Sequence, residues 1–560
     1  MVMTSLRPLS LTKTHIILIG KIFVLCRLEK QQKHNCQLTP VSPFQNKMTE
    51  KPTKNPQVVD PEGIIMASSG ASKASMSYVE VPNPTISKSK DDEEAAKKAA
   101  FLGEGHLGKT IWKLTWPDFI GKVVQALYVM IDAIYIGNMA GNNQQEKSLS
   151  LAACTLAMPV DQLFHIALGL LVGVGTSACY GQNLGRKDFK TAKKIIGNMY
   201  IMCIIIGVCY PLIMYWFVDD VLMLAGASEA DGTLKLAREY FLPLMFGMIL
   251  MCLACCHNNS IRGEGNSVFS ATCMLLGGIL NIIMDPIMIR ATGNSVKGAA
   301  YATMFGNCLT SIMGMCYFFG RKGAVVLELK DFKPDIKIMF TILNIGVSGL
   351  ISTASSSIVS IIMNNLLLKY ASYNYNSLQV TEILAVVGAC GKFSFFCFMP
   401  MLSLSHGCLP IYSYCYGAKN FTRFINTIKI HFISEILLGG ALTVLGATCG
   451  QYLARMFSSS IFFKNIFAEA LRYVTSGLVF NAFTMTIFPP LQATGRGIPS
   501  ALILFFKQLV FLLAFAQIFC MTLHDWWGNM YAYPLAEICG AFISLGAFFL
   551  YKKVFYGKKE

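Results

Sequence analysis

Between Ile111 and Tyr551 the chain alternates long apolar runs with short polar turns. The runs last about 20 residues or more, enough to cross a hydrocarbon core of ~30 Å as a helix. In lipid only helices or a closed barrel satisfy every backbone group, and continuous apolar runs without period-two alternation select helices. Twelve spans follow, at 114–137, 150–180, 193–217, 239–260, 267–290, 297–320, 338–368, 379–412, 427–449, 468–493, 498–521 and 527–551. The expected fold class is an all-α polytopic membrane protein.

The chain also repeats itself. "GQNLGRKDFKTAKK" after the second span matches "SYCYGAKNFTRFIN" after the eighth, aligning Gly185 with Gly417. "IRGEGNSVFSA" before the fifth span matches "LQATGRGIPSA" before the eleventh, aligning Gly265 with Gly495, and Gly298 aligns with Gly528. An offset held near 230 residues across all these pairs implies one six-helix unit duplicated in parallel orientation, a plan in which transporters place the substrate site between the halves. The expected organisation is a disordered cytoplasmic tail at 1–110, a first lobe at 111–320, a linker at 321–337, a second lobe at 338–551 and a cytoplasmic C-terminus at 552–560.

Composition narrows the class. Charged residues are 14% of the 560, well below the roughly 25% of soluble domains. The net charge of +16 is concentrated in alternate loops, around Arg186 to Lys194, Arg321 to Lys337, Lys419 to Lys429 and the C-terminus. By the positive-inside rule these loops and both termini are cytoplasmic, so the basic balance reports topology rather than a nucleic-acid partner. Most of the 19 cysteines lie inside spans and read as small apolar residues. "MCLACCHNNS", with Cys252, Cys255, Cys256 and His257, is read the same way and not as a zinc site.

The polar residues inside the spans are distributed unequally. Asp132 lies in the first span, Asn281 and Asp285 in the fifth, and Thr303 in the sixth. Carried through the repeat, these positions fall on Asn364, Phe511, Phe515 and Tyr533. A need shared by both lobes would not produce that difference. Asn281 and Asp285 are four apart and share a helix face, and Pro286 frees the carbonyl of Ile282. Carboxylate, amide, hydroxyl and carbonyl oxygens suit a hard cation, and the carboxylates suit a proton equally. Asp161 and His165, also four apart, are read as a structural pair, and Lys507 as snorkelling or paired.

Through "YVMIDAIYIGNMAG", "GQNLGRKDFKTA", "IRGEGN", "LNIIMDPIMI", "GAAYAT" and "LPIYSYCYGAKN", the chain resembles the multidrug and toxic compound extrusion (MATE) family of secondary transporters. The resemblance implies two six-helix lobes around a central cavity, and export of organic cations or other xenobiotics in exchange for Na+ or H+. It places the family's first-lobe cation site on Asp132, Asn281, Asp285 and Thr303, its polar cavity residues on Gln125, Tyr128 and Asn258, and helix bends at Pro117 and Pro286. Some members use acids in the seventh or tenth span, but none lies well inside either span here; Glu435 and Glu537 lie in the ninth and twelfth. The expected partners are small organic cations and the bilayer, with no cofactor beyond the coupling ion, no enzymatic activity, and a monomer in a plasma or internal membrane. The rival readings are a lipid or lipid-linked sugar flippase, which would need a cationic cavity, and an intramembrane acyltransferase, which would need a positioned nucleophile.

Overall fold

The computed structural model describes residues 90–139, 144–230, 232–457 and 461–557, which belong to one compact unit. Twelve helical spans run through it. The first six are Leu107–Met139; Gln144–Asp161, continued by a π turn at Gln162–Ile166 into Ala167–Arg186; Phe189–Met214; Thr233–Phe246 with Met248–Gly263; Ser267–Thr292; and Ser295–Phe319. The second six are Ile336–Asn374; Ser377–Gly417; Phe421–Phe457; Ile461–Ser476 with Leu478–Ala493; Gly497–Leu504, continued by a π turn at Phe505–Phe511 into Leu512–Leu523; and Trp527–Phe555. Among the described residues nine helices are long and apolar enough to cross a membrane, and the bent fourth span makes a tenth. The first and sixth spans, at 33 and 25 residues, are also long enough to cross a membrane. The outer face is apolar, as lipid requires: Ile204, Ile205, Val208 and Leu212 of the third span are all exposed.

The duplication is visible in backbone detail. The fourth span breaks at Gly247, bending by 59°, and the tenth breaks at the aligned Gly477. Gly265 and Gly495, aligned from sequence, both take positive φ, at 96° and 81°. These are turns that a side chain would strain.

Each lobe packs its own helices, and the two meet toward the end where the first span begins and the twelfth ends, here the basal end. The seam is built on reciprocal close approaches. A methyl group on Gly185 would lie 2.1 Å from the Tyr414 carbonyl oxygen, and one on Gly417 would lie 1.9 Å from that of Gln182. Deeper in, Gly175 faces the Ile342 carbonyl and Gly346 that of Leu171. Gln182 adds a hydrogen bond to the Ala493 carbonyl at 2.7 Å. The linker between lobes is pinned to the third span, where Asn198 donates to the Lys333 carbonyl and accepts from the Asp335 amide.

One segment departs from the expected disordered tail. Residues 1–89 of that tail lie outside the described residues, but Lys90–Gly103 is helical. Its local composition is charged and polar, yet Ala99 and Leu102, three apart, are buried at the basal end. Phe101 packs on Gly265 of the first lobe, and Gly103 on the Tyr414 ring of the second. The Arg423 guanidinium then donates to the carbonyls of Leu102, Glu104 and Gly105, at 2.9, 2.9 and 2.8 Å. Tertiary partners far along the chain supply what composition did not foretell.

Candidate functional site

The first, fifth and sixth spans pack closely because small residues line their contacts. Gly278 of the fifth span lies against the Tyr128 ring of the first, and Gly277 lies against Gly306 and Thr310 of the sixth. This brings Asn281 to Thr303, whose hydroxyl accepts from the amide at 3.3 Å and itself donates to the Ala299 carbonyl at 3.1 Å. Asp132 and Asp285 lie within electrostatic range of one another. Asp285 is fully buried, Asn281 and Asp132 nearly so.

These groups are short of donors. Both oxygens of Asp285, one of Asp132 and the amide oxygen of Asn281 have no hydrogen-bond partner among the described residues. Buried polar atoms are almost always paired, and two facing carboxylates repel strongly where the dielectric is low. Four unpaired oxygens on two neighbouring helices have the chemistry to take a proton or a small hard cation. The aligned positions in the second lobe form the opposite: Phe511, Phe515 and Tyr533 pack on one apolar cluster with Val359, Met363 and Leu512.

The other expected residues are placed around this set. Gln125 bonds the Tyr128 hydroxyl, one helical turn before Asp132. Asn258, on the fourth span, has its amide oxygen buried without a partner among the described residues. Pro117 and Pro286 sit inside continuous helices.

The MatE family model matches residues 117–287 and again 356–518, the two repeats of the duplication and more than half of the chain. The chain belongs to the MatE family. It is 23% identical to the multidrug export protein MepA of Staphylococcus haemolyticus over 401 residues, which is 71% of this chain and 84% of that one. MepA of Staphylococcus aureus strain N315 is 24% identical over 389 residues, 70% and 82% of the two chains. The solved structure of a MATE transporter in the straight conformation superposes with a TM-score of 0.72 at 27% identity, covering 82% of this chain and 99% of that one. A transporter of the MOP superfamily from Pyrococcus furiosus, described as having a binding pocket of reversed polarity, also reaches 0.72, at 26% identity and 84% and 99% coverage.

This MatE chain carries further polar groups outside that set, one network of which has no reading from sequence. Asp118, the residue after Pro117, is buried between Lys122 and Arg262 and bonds both. Arg262 also donates to Asn259 at 2.8 Å, and His406 of the second lobe reaches Lys122 at 3.0 Å and Asp118 at 3.8 Å. The network therefore joins the lobes near the basal end. Its local signal was an Asp and a Lys four apart in an apolar helix. Glu435 is fully buried and paired with His431 at 3.2 Å; Glu537 pairs with Lys507 at 2.7 Å. In the second span Asp161 stands 2.8 Å from His165 across the π turn. Cys203 joins Cys252 and Cys256, their sulfurs within 4.8 Å of one another. Cys255 is held instead by Asn259, and His257 bonds the Tyr200 hydroxyl at 2.7 Å.

Proposed function

We propose that this transporter is a secondary active antiporter that exports small organic cations in exchange for Na+ or H+, bound at Asp132, Asn281, Asp285 and Thr303. The observation that carries the reading is the unpaired, buried oxygen set in the first lobe, where three of the four aligned positions of the second lobe belong to a hydrocarbon cluster. A proton or monovalent cation between Asp132 and Asp285 removes their mutual repulsion. An organic cation approaching along Gln125 and Tyr128 competes for the same negative charge. Exchange follows, because neither ligand gains from the site while the other holds it. One elementary charge moving down a 100 mV potential supplies about 2.3 kcal/mol, which sustains a useful substrate gradient.

The basic loops put both termini in the cytoplasm, so the glycine seam seals the cytoplasmic end and the site is reached from the far side. One chain supplies both lobes, so a monomer suffices. The buried acids speak against a flippase for anionic head groups, which would be served by a cationic cavity.

The test is efflux of a fluorescent organic cation from proteoliposomes under an imposed sodium gradient and, separately, an imposed pH gradient. Gradient-driven efflux is expected under one of them and lost in Asp285→Asn. Undiminished efflux in that variant, folded and inserted, removes the site from the mechanism.

A further inference from the structure

A pocket of about 370 Å³ opens at the basal end of the first lobe, away from the cation site. Its wall holds the start of the fifth span, Lys113 of the first span and Lys322 beyond the sixth. At that helix start the Asn266 side chain caps the Phe269 amide at 3.2 Å, and the Asn266 carbonyl takes the Ser270 amide. The first two amides, of Ser267 and Val268, find no acceptor among the described residues. They present the positive end of a 26-residue helix.

A second observation points to a ligand. The Ser267 hydroxyl, on a residue only 2% exposed, has no hydrogen-bond partner among the described residues and lines the pocket. Lys113 and Lys322 are exposed beside it, and neither forms an ion pair among the described residues. The acid in the wall, Glu264, is already engaged: one oxygen accepts from the Tyr317 hydroxyl, the other from the Tyr180 hydroxyl at 2.7 Å and the Ala324 amide at 2.9 Å. Amides, a hydroxyl and two ammonium groups, with the nearby carboxylate held by the wall, are a donor set for a phosphate ester.

Depth in the membrane favours a lipid as its source. Trp112 and Trp116 flank Lys113 on the first span, exposed and stacked at 5.3 Å, and exposed tryptophans collect where the hydrocarbon meets the head groups. We propose that this pocket binds a phosphate ester, that of an anionic phospholipid of the adjoining leaflet or of a soluble phosphorylated molecule. The two ammonium groups discriminate against zwitterionic head groups, whose choline they repel.

Native mass spectrometry of the purified full-length protein in neutral detergent tests this with three probes: dioctanoyl phosphatidylserine, dioctanoyl phosphatidylcholine and inorganic phosphate. One phosphatidylserine is expected to be retained. Retention should weaken at least ten-fold in Lys113→Gln/Lys322→Gln and several-fold in Ser267→Ala, with unliganded melting temperatures like that of the wild type. Displacement of the lipid by inorganic phosphate supports the pocket with a soluble source; lipid that phosphate does not displace supports the membrane source. Equal retention in the lysine double variant, or of phosphatidylcholine by the wild type, overturns the assignment.

Discussion

The α-carbon of Gly417 rests against the carbonyl oxygen of Gln182, with room for nothing larger than hydrogen. Gly185 stands in the same relation to Tyr414, so the seam is one contact made twice about an approximate two-fold axis, each partner supplying the glycine once.

Alanine at either glycine cannot escape by a rotamer change, because the atom it meets is backbone. Gly417→Ala and Gly185→Ala should each force the basal ends apart and cost about 1–3 kcal/mol of stability. The double variant should lose less than the sum, since the first substitution opens the seam that the second would strain. Melting temperatures of the four proteins check the cycle, and spin-label distances across the basal end should lengthen in step.

If the first-lobe oxygens hold the coupling ion, that ion stabilises the folded transporter, by about 2.7 kcal/mol at a hundred times its dissociation constant. The melting temperature should therefore rise with sodium, or with protons, in the wild type and stay flat in Asp132→Asn and Asp285→Asn. Phe515→Ala provides the contrast: a loss of about 2–4 kcal/mol by cavity formation, with the ion response kept. An ion response persisting in both Asn variants would separate these acids from ion binding.

Removing the carboxylate of Asp118 leaves Lys122 and Arg262 buried without their counter-charge. Asp118→Asn should cost about 3–5 kcal/mol. Combining it with Arg262→Met should recover part of the loss, because the second change removes one stranded charge. His406→Ala should cost less, since its side chain is 21% exposed. Thermal denaturation of the single and double variants measures the coupling.

Arg423→Gln withdraws the guanidinium from three carbonyls at the end of Lys90–Gly103. Amide hydrogen exchange over residues 90–103 should accelerate at least ten-fold while the spans keep their protection. Unchanged exchange there would show that Ala99 and Leu102 hold the helix alone.

The spans, the duplication and the aligned glycines were legible because each leaves a local mark: an apolar run, a repeated motif, a Gly where the backbone turns. Asp132, Asn281, Asp285 and Thr303 stood out only because the repeat offered Phe511, Phe515 and Tyr533 for comparison. The network at Asp118 was half legible. Lys122 lies one turn away, but Arg262 is 144 residues distant in sequence and His406 lies 284 residues from Lys122. The helix at Lys90–Gly103 was misread for the same reason, its partners Tyr414 and Arg423 being more than 300 residues away. Neither π turn, at Gln162–Ile166 or Phe505–Phe511, has a signature in residue type.

The hydrocarbon cluster at Phe511, Phe515 and Tyr533 makes the two halves of one ancestral unit thermodynamically unlike. If the first-lobe oxygens hold the coupling ion, one half is completed there by a ligand, while the aligned positions of the other are filled largely by its own side chains. Packing that needs no ligand would then stay equally firm with the ion bound or released, a fixed frame against which the other half loosens and tightens. Heat, denaturant or loss of the ion gradient should then reach the same half first, the one that depends on its ligand.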